Sequence, residues 1–281
     1  MKRVFTTILA IVAVLLPLSL FAKDEKTHEG IVVISYNIRN ASSQDGTNSW
    51  QYRYPASALM IDDQDADVVG IQEALSSQIN YFATAFGKDF KTIGVGAEDG
   101  KKEGEFSAIM YKTKTIAPGK SGWFWISETP DTPSRSWEAE KKSCATWAVL
   151  KEKATGNKFF FVCVRLDSQS EAAREKGIAL LVSKIEELNT GNLPVIIAGD
   201  LNVEPSSSLL APLKAVLSDA RATAVVSDDV ESFNGWGKAK KTVDYIWYKG
   251  VSCTLFETVT EPYYERTFIS DHYPVKASFV F

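Results

Sequence analysis

Apolar and polar positions fall along this chain in short blocks separated by turn-forming residues. IVVISYNI (31–38), DVVGIQEA (67–74), FSAIMY (106–111) and GWFWIS (122–127) have the length and the β-branched and aromatic content of strands. CATWAVLKEK and NKFFFVCVRL, joined through Ala154, Thr155 and Gly156, read as a hairpin. In SEAAREKGIALLVSKIEEL, residues Ala173, Ile178, Leu181, Ile185 and Leu188 fall roughly on one helical face, and Ser168 with Glu171 three residues on predicts a capping box at its start. LPVIIAGDLN (193–202), VDYIWYKG (243–250), VSCTLFETVT and the terminal YPVKASFVF read as further strands, with a short helix in SSLLAPLKAVL. Some strands are apolar on both sides, others alternate, and helices separate only some of them. That mixture predicts two packed mixed sheets flanked by helices, a layered α/β arrangement.

The N-terminus changes this picture first. MKRVFTTILAIVAVLLPLSLFAKDEK carries two basic residues, an apolar run containing Pro17, and the small Ala22 before a charged segment. It reads as a signal peptide over residues 1–22, cleaved after Ala22, rather than a membrane span. A tail at 23–30 and one domain at 31–281 follow, since no linker, repeat or charge block divides the rest. The mature protein is expected to be exported, periplasmic or secreted, monomeric and without a transmembrane segment. Cleavage would remove Lys2 and Arg3 from the 31 basic residues and none of the 35 acidic ones, leaving a chain more acidic than its formal −4. A long polyanion is a disfavoured partner for such a surface, although a local basic pocket is not. Cys144, Cys163 and Cys253 are too few and scattered for a disulfide framework and read as apolar filler.

Candidate chemistry sits at strand ends: Asn37 in SYNIR, Glu73 in GIQE, Asp200 and Asn202 in GDLN, Asp244 in VDYIW, and Asp271 with His272 in SDHYP. Singly, each has an ordinary structural reading as a turn former, a helix cap or a hydrogen-bonded core histidine. Together they form a set of acids embedded in apolar strands, which lose hydration unless a cation or another partner compensates them. Oxygen ligands without cysteine or histidine clusters point to Mg²⁺, or to Mn²⁺ or Ca²⁺, rather than zinc. Such an ion suits a phosphoryl substrate, with an acid and a histidine to handle water and leaving group.

The ordered series SYN, QE, GEFSAIMY, GWFWISETPD, ATW, LDSQSEAAR, GDLN, VDYIW and SDHYP resembles the endonuclease/exonuclease/phosphatase superfamily, the fold of DNase I and the abasic-site endonucleases, over about residues 31–281. GEFSAIMYKTKTIAPGKSGWFWISETPDTP is especially similar to exported bacterial members. The resemblance implies a four-layered α/β sandwich and metal-dependent hydrolysis of phosphoester bonds. It also implies Glu73 as the main metal ligand, with Asn37 and Asp271 beside the ion. Asp200, fixed by Asn202, would orient or deprotonate the attacking water. His272 would contact or protonate the phosphate, its ring held by Asp244.

This chain departs from the resemblance at one conspicuous place. Where relatives show a THLDH-like signature, it reads VRLDS, with Arg165 at the first histidine and Ser168 at the second. Ala97, Ser143 and Thr242 are also less basic than in close relatives. Arginine cannot exchange a proton near neutral pH, but its planar fork can clamp two phosphate oxygens. Two other readings stay open: a structural salt bridge to Asp167, Glu105 or another pocket acid, and a guanidinium that takes over the ion's role. The latter would leave a binding module for a phosphorylated sugar or lipid headgroup. A small or membrane-derived phosphoester is preferred as substrate over long nucleic acid. KAKKT (238–242) reads equally as a solvated turn, and Trp123, Trp125, Trp236 and Tyr264 are candidates for stacking on a base or sugar.

Overall fold

In the computed structural model, which describes residues 30–281, two βαβ units organise the chain. The first runs from β1 (Ile31–Asn37) through α1 (Trp50–Asp63) to β2 (Val68–Ala74). It is followed by α2 (Ser76–Phe86), β3 (Phe90–Ile93), β4 (Phe106–Lys112), β5 (Ile116–Trp125) and β6 (Cys144–Glu152). The second runs from β7 (Lys158–Arg165) through α3 (Glu171–Leu188) to β8 (Val195–Asp200). Then come α4 (Ala211–Lys214), β9 (Ser218–Asp219), α5 (Ala220–Thr223), β10 (Asp244–Lys249), β11 (Ser252–Thr258) and β12 (Val275–Val280). The expected signal peptide, and all of the expected tail except Gly30, lie outside the described residues. No described helix is long and apolar enough to cross a membrane.

The strands form two six-stranded sheets, ordered β11-β12-β1-β2-β4-β3 and β5-β6-β7-β8-β10-β9. The pair β1–β2 is parallel in one sheet and β7–β8 in the other, while the remaining pairings between these strands are antiparallel. With helices outside them, the sheets make the expected four-layered α/β sandwich. The run FFFVCV shows why β7 lies at the centre. Phe159, Phe161 and Cys163 enter the core shared by both sheets, while Phe160, Val162 and Val164 pack in the cluster that holds Ile178, Leu181 and Ile185 of α3. A strand covered on both faces needs apolar residues at every position, which is what the sequence supplies. The sheets approach closely at Gly70, where an added Cβ would lie 2.7 Å from the Ala198 Cβ.

The predicted hairpin forms, and all three cysteines are free and buried. The helix start is corrected: α3 begins at Glu171, capped by Ser170, whose Oγ accepts a hydrogen bond from the Ala173 N–H at 3.1 Å. Asp167 Oδ1 accepts from the backbone of Gln169 and Ser170, and this turn uses up residues 167–170 before helical geometry can begin. Ser168 therefore makes no capping box. The sequence pattern also gave no sign of α1, α2 or β3. On α1 the usual polarity is reversed: Arg53 is fully buried while Tyr52 and Tyr54 are exposed, and Pro55 sits inside the helix. Arg53 instead ties loops together, donating to the carbonyls of Ile38, Arg39, Asn48 and Ile269.

Candidate active site

The site continues the apolar rows of the core to their ends. Side chains alternate along a strand, so the row Ile31, Val33, Ser35 in β1 ends at Asn37, and Phe159, Phe161, Cys163 in β7 ends at Arg165. Likewise Ile196 and Ala198 lead to Asp200 in β8, and β10 begins at Asp244 on the face of Ile246 and Tyr248. Register does the rest, because Asp200 pairs with Arg165 on one side and Asp244 on the other. Carboxyl ends of parallel strands from both sheets thus meet at one edge of the sandwich, where open α/β folds place their ligands.

Glu73 breaks this rule. In β2 the inward positions are Val68 and Gly70, and strict alternation would send residue 73 toward the outer helices. A register shift between Ile71 and Ala74, with Glu73 at φ 62°, turns its carboxylate inward instead. Asn202 and Arg39, at φ 50° and 57°, are also left-handed and also at the site. Such strained non-glycine residues persist where surrounding bonds over-determine them.

These bonds are dense. The Asn37 amide donates to Glu73 Oε1 at 3.1 Å and to Asp200 Oδ2 at 2.9 Å. Asn202 gives Asp200 its backbone N–H at 3.0 Å and its side-chain amide at 3.2 Å. His272 Nδ1 lies 2.8 Å from Asp244 Oδ2. Arg165 sits among three acids: NH2 is 2.9 Å from Glu73, Nε 3.5 Å from Asp200, and NH1 3.7 Å from Glu105. Asp271 stands slightly apart and pairs with Arg39 NH1 at 3.5 Å. The structure therefore gathers Asn37, Glu73, Arg165, Asp200, Asn202, Asp244 and His272 into one network, with Asp271 at its margin.

Burial would lower the His272 pKa, but Asp244 outweighs it with both charge and hydrogen bond and holds the ring protonated, at about 10. Burial raises Asp200 above the usual carboxylate range, and the neighbouring Asp244 adds to this against His272 and Arg165. For Glu73 burial also acts upward, yet Arg165, then His272 and Asn37, bring the carboxyl below its ordinary value. Burial opposes the charge on Arg165, while Glu73, Asp200 and Glu105 strengthen its hold on the proton.

Of the residues less basic than expected, Ser143 has a local role: its Oγ donates to the Arg165 carbonyl at 2.5 Å. Trp125 is withdrawn from the stacking candidates, since it is buried and its Nε1 donates to the Ala97 carbonyl at 2.7 Å. Trp123 and Tyr264 are exposed, and the Trp236 ring lies 5.3 Å from the Arg53 guanidinium. Lys238, Lys240 and Lys241 of KAKKT point to solvent. A small cleft beside Arg165 is lined by Glu73, Glu105, Ser107, Lys141, Lys142 and Asp167. Arg39 and Lys141 were missed from the sequence. Only the position of Arg39 directly after SYNI hinted at it, and Lys141, bound to Glu105 at 2.9 Å, gave no signal.

Residues 34–272 match the model of the Endonuclease/Exonuclease/phosphatase family. Among solved structures, the chain is similar to a mannosyl-6-phosphatase of Bacteroides thetaiotaomicron VPI-5482, at 34% identity over 89% of this chain and 100% of that one, with a TM-score of 0.85. It is also similar to an endonuclease/exonuclease/phosphatase from Bacteroides vulgatus, at 30% identity over 90% and 99% of the two chains, with a TM-score of 0.84. The human Nocturnin catalytic domain shares the fold, with a TM-score of 0.71 at 17% identity over 90% of this chain and 94% of that one. No curated protein matches the chain by sequence. On the family match and on these two Bacteroides structures, the chain belongs to the endonuclease/exonuclease/phosphatase family.

Proposed function

We propose that this protein is a phosphoester hydrolase acting on a small substrate, a sugar phosphate, at the network around Asp200. The observation that carries this reading is the acid–base group itself. Ligand atoms of Asp200, Asp244 and His272 lie within 4.8 Å of one another. His272 already carries its proton, so it is the donor; Asp200, held by Asn37 and Asn202, is the acceptor. Water attacks phosphorus as its proton passes to Asp200, the phosphorus–ester oxygen bond breaks, and His272 Nε2–H supplies a proton to the leaving oxygen. Asp244 keeps Nδ1 occupied, so Nε2 is the nitrogen that meets the substrate. A sugar phosphate is supported by the name of the mannosyl-6-phosphatase relative. The acidic surface argues against long nucleic acid.

The test is hydrolysis of mannose 6-phosphate, other sugar phosphates and phosphodiesters, with and without Mg²⁺ or Mn²⁺. Asp200→Asn and His272→Asn should each lower kcat by about 10²–10⁴-fold. Wild-type turnover no greater than that of the variants would sink the hydrolytic reading. A second reading, binding without turnover, is favoured by the 2.9 Å contact between Arg165 and Glu73. It expects equal calorimetric affinity for the sugar phosphate in wild type and Asp200→Asn, with no turnover in either. We also propose that the protein acts after export, which N-terminal sequencing beginning at Lys23 would support and sequencing beginning at Met1 would overturn.

A further inference from the structure

The family typically depends on a divalent ion. Glu73, Asn37 and Asp271 are the positions that the sequence resemblance assigned to the ion. Asn37 turns its amide nitrogen, not its oxygen, toward Glu73 and Asp200, while its Oδ1 accepts the Arg39 backbone N–H at 3.0 Å. Reversing the amide would lose all three bonds. A metal-binding amide presents oxygen. Glu73 Oε1 already faces both the Asn37 amide and Arg165, and Asp271 faces Arg39. The one group of acids and histidine spaced for an ion among the described residues, Asp200, Asp244 and His272, already sets His272 Nδ1 against Asp244 Oδ2 at 2.8 Å and the Asn37 amide against Asp200 Oδ2 at 2.9 Å. In this arrangement the donor set does not fit a divalent cation.

At Glu73 and Asp200 the mismatch has a single source. The guanidinium of Arg165 reaches Glu73 from the opposite sheet, Asp200 from its own sheet, and Glu105 at the rim, and it is largely buried. Carboxylates brought together from two sheets repel one another unless a cation stands between them. Arginine supplies that charge permanently, and its planar fork gives one nitrogen to each acid. We infer that Arg165 is the built-in cation of this site, standing where the acids would face a divalent ion, so that the network assembles without metal and excludes metal while Arg165 is in place. The inference deepens the proposed phosphoester site and rests on that reading only for what the site acts on. Exclusion of the ion follows from Arg165, Glu73 and Asn37 alone.

Ion binding, rather than turnover, is the readout that tests it. Mn²⁺ would be titrated into the full chain while its free electron paramagnetic resonance signal is followed, and melting would be measured with and without ~10 mM Mg²⁺. Wild type is expected to show no Glu73-dependent loss of the free Mn²⁺ signal and an unchanged Tm. Arg165→His, which removes the fixed charge and the fork, should bind Mn²⁺ at least about tenfold more tightly and melt higher in Mg²⁺. Arg165→Lys, which keeps a cation, should behave like wild type toward both ions. Tight one-to-one Mn²⁺ binding by wild type that Glu73→Gln abolishes would overturn the inference, as would equal affinity in wild type and Arg165→His. If Arg165→His does not fold, the comparison of wild type with Glu73→Gln decides alone: binding lost in the variant overturns the inference, and no binding in either upholds it. An absence of turnover toward every phosphoester would count against the proposed activity and leave this result standing.

Discussion

In the β7–α3–β8 unit, Arg165 and Asp200 reach the site simply by ending two regularly alternating strands in register. In the β1–α1–β2 unit, the same regularity delivers Asn37 but points residue 73 the wrong way. Glu73 enters only through a register shift and a left-handed backbone at φ 62°. A strand that keeps its alternation thus places charge at no conformational expense. An acid that must leave its row carries strain of about 1–3 kcal/mol, and it persists because Asn37 and Arg165 hold it from both sides. The two units depend on each other: one contributes the strained acid, the other the cation that stabilises it.

Removing that cation should break the relation most strongly. Arg165→Met leaves Glu73, Asp200 and Glu105 facing one another, and loss of one partner from a buried ion pair costs about 3–5 kcal/mol. Adding Glu73→Gln to Arg165→Met should recover a substantial part of the loss, and urea unfolding of the four-member cycle measures the coupling. A sum of single effects with no coupling would mean that the units are independent. Next in size is the close approach of the sheets behind the site. Gly70→Val places side-chain atoms against Ala198, where even a Cβ would be 2.7 Å away, and should cost about 1–3 kcal/mol in the same unfolding assay.

The smallest effects sharpen the account of how the second unit leaves β7 and enters α3. Ser170→Ala should destabilise the protein by about 1 kcal/mol through loss of the cap, while Ser168→Ala should stay within about 0.5 kcal/mol. Thermal melts of the two variants separate the observed cap from the one the sequence suggested. Asp167 adds a pH signature. Burial would raise its carboxyl, but hydrogen bonds from the Ser170, Gln169 and Glu140 backbones, with Arg165 beyond them, lower it. A carboxyl lowered on folding stabilises above its unfolded pKa of about 3.9 and loses that contribution as pH falls through the lower folded value. Asp167→Asn should therefore flatten the acid limb of a stability–pH curve, with its destabilisation largest at pH about 7 and shrinking as pH falls below about 4.

The layered fold was legible because its central strands are covered on both faces. Phe159 to Val164 cannot be explained except as buried on two sides, and the period of α3 could be counted. Helix α1 was not legible, because it buries Arg53 and exposes Tyr52 and Tyr54, inverting the pattern on which such a reading depends. At the site, identity was readable and partnership was not. Asn37, Glu73, Asp200, Asn202, Asp244 and His272 could be picked out from acids and amides ending apolar runs, and Arg165 from its departure at VRLDS. Nothing local to Arg165 says that its nearest acid is Glu73, far back in the chain and in the other sheet, rather than Asp167 two residues away.

By itself, then, the sequence determined which strands are buried, which acids and amides end them, and that an arginine stands at the end of VRL where relatives show a histidine. Alternation and apolar content are local properties, and they survive in one dimension. The tertiary structure decided that Glu73 turns inward, that Asn37 offers its nitrogen rather than its oxygen, and that Arg165 bridges the two sheets. Those outcomes depend on a backbone shift and on charges brought together across the sandwich, and electrostatic energy depends on distance in space, which sequence separation does not encode.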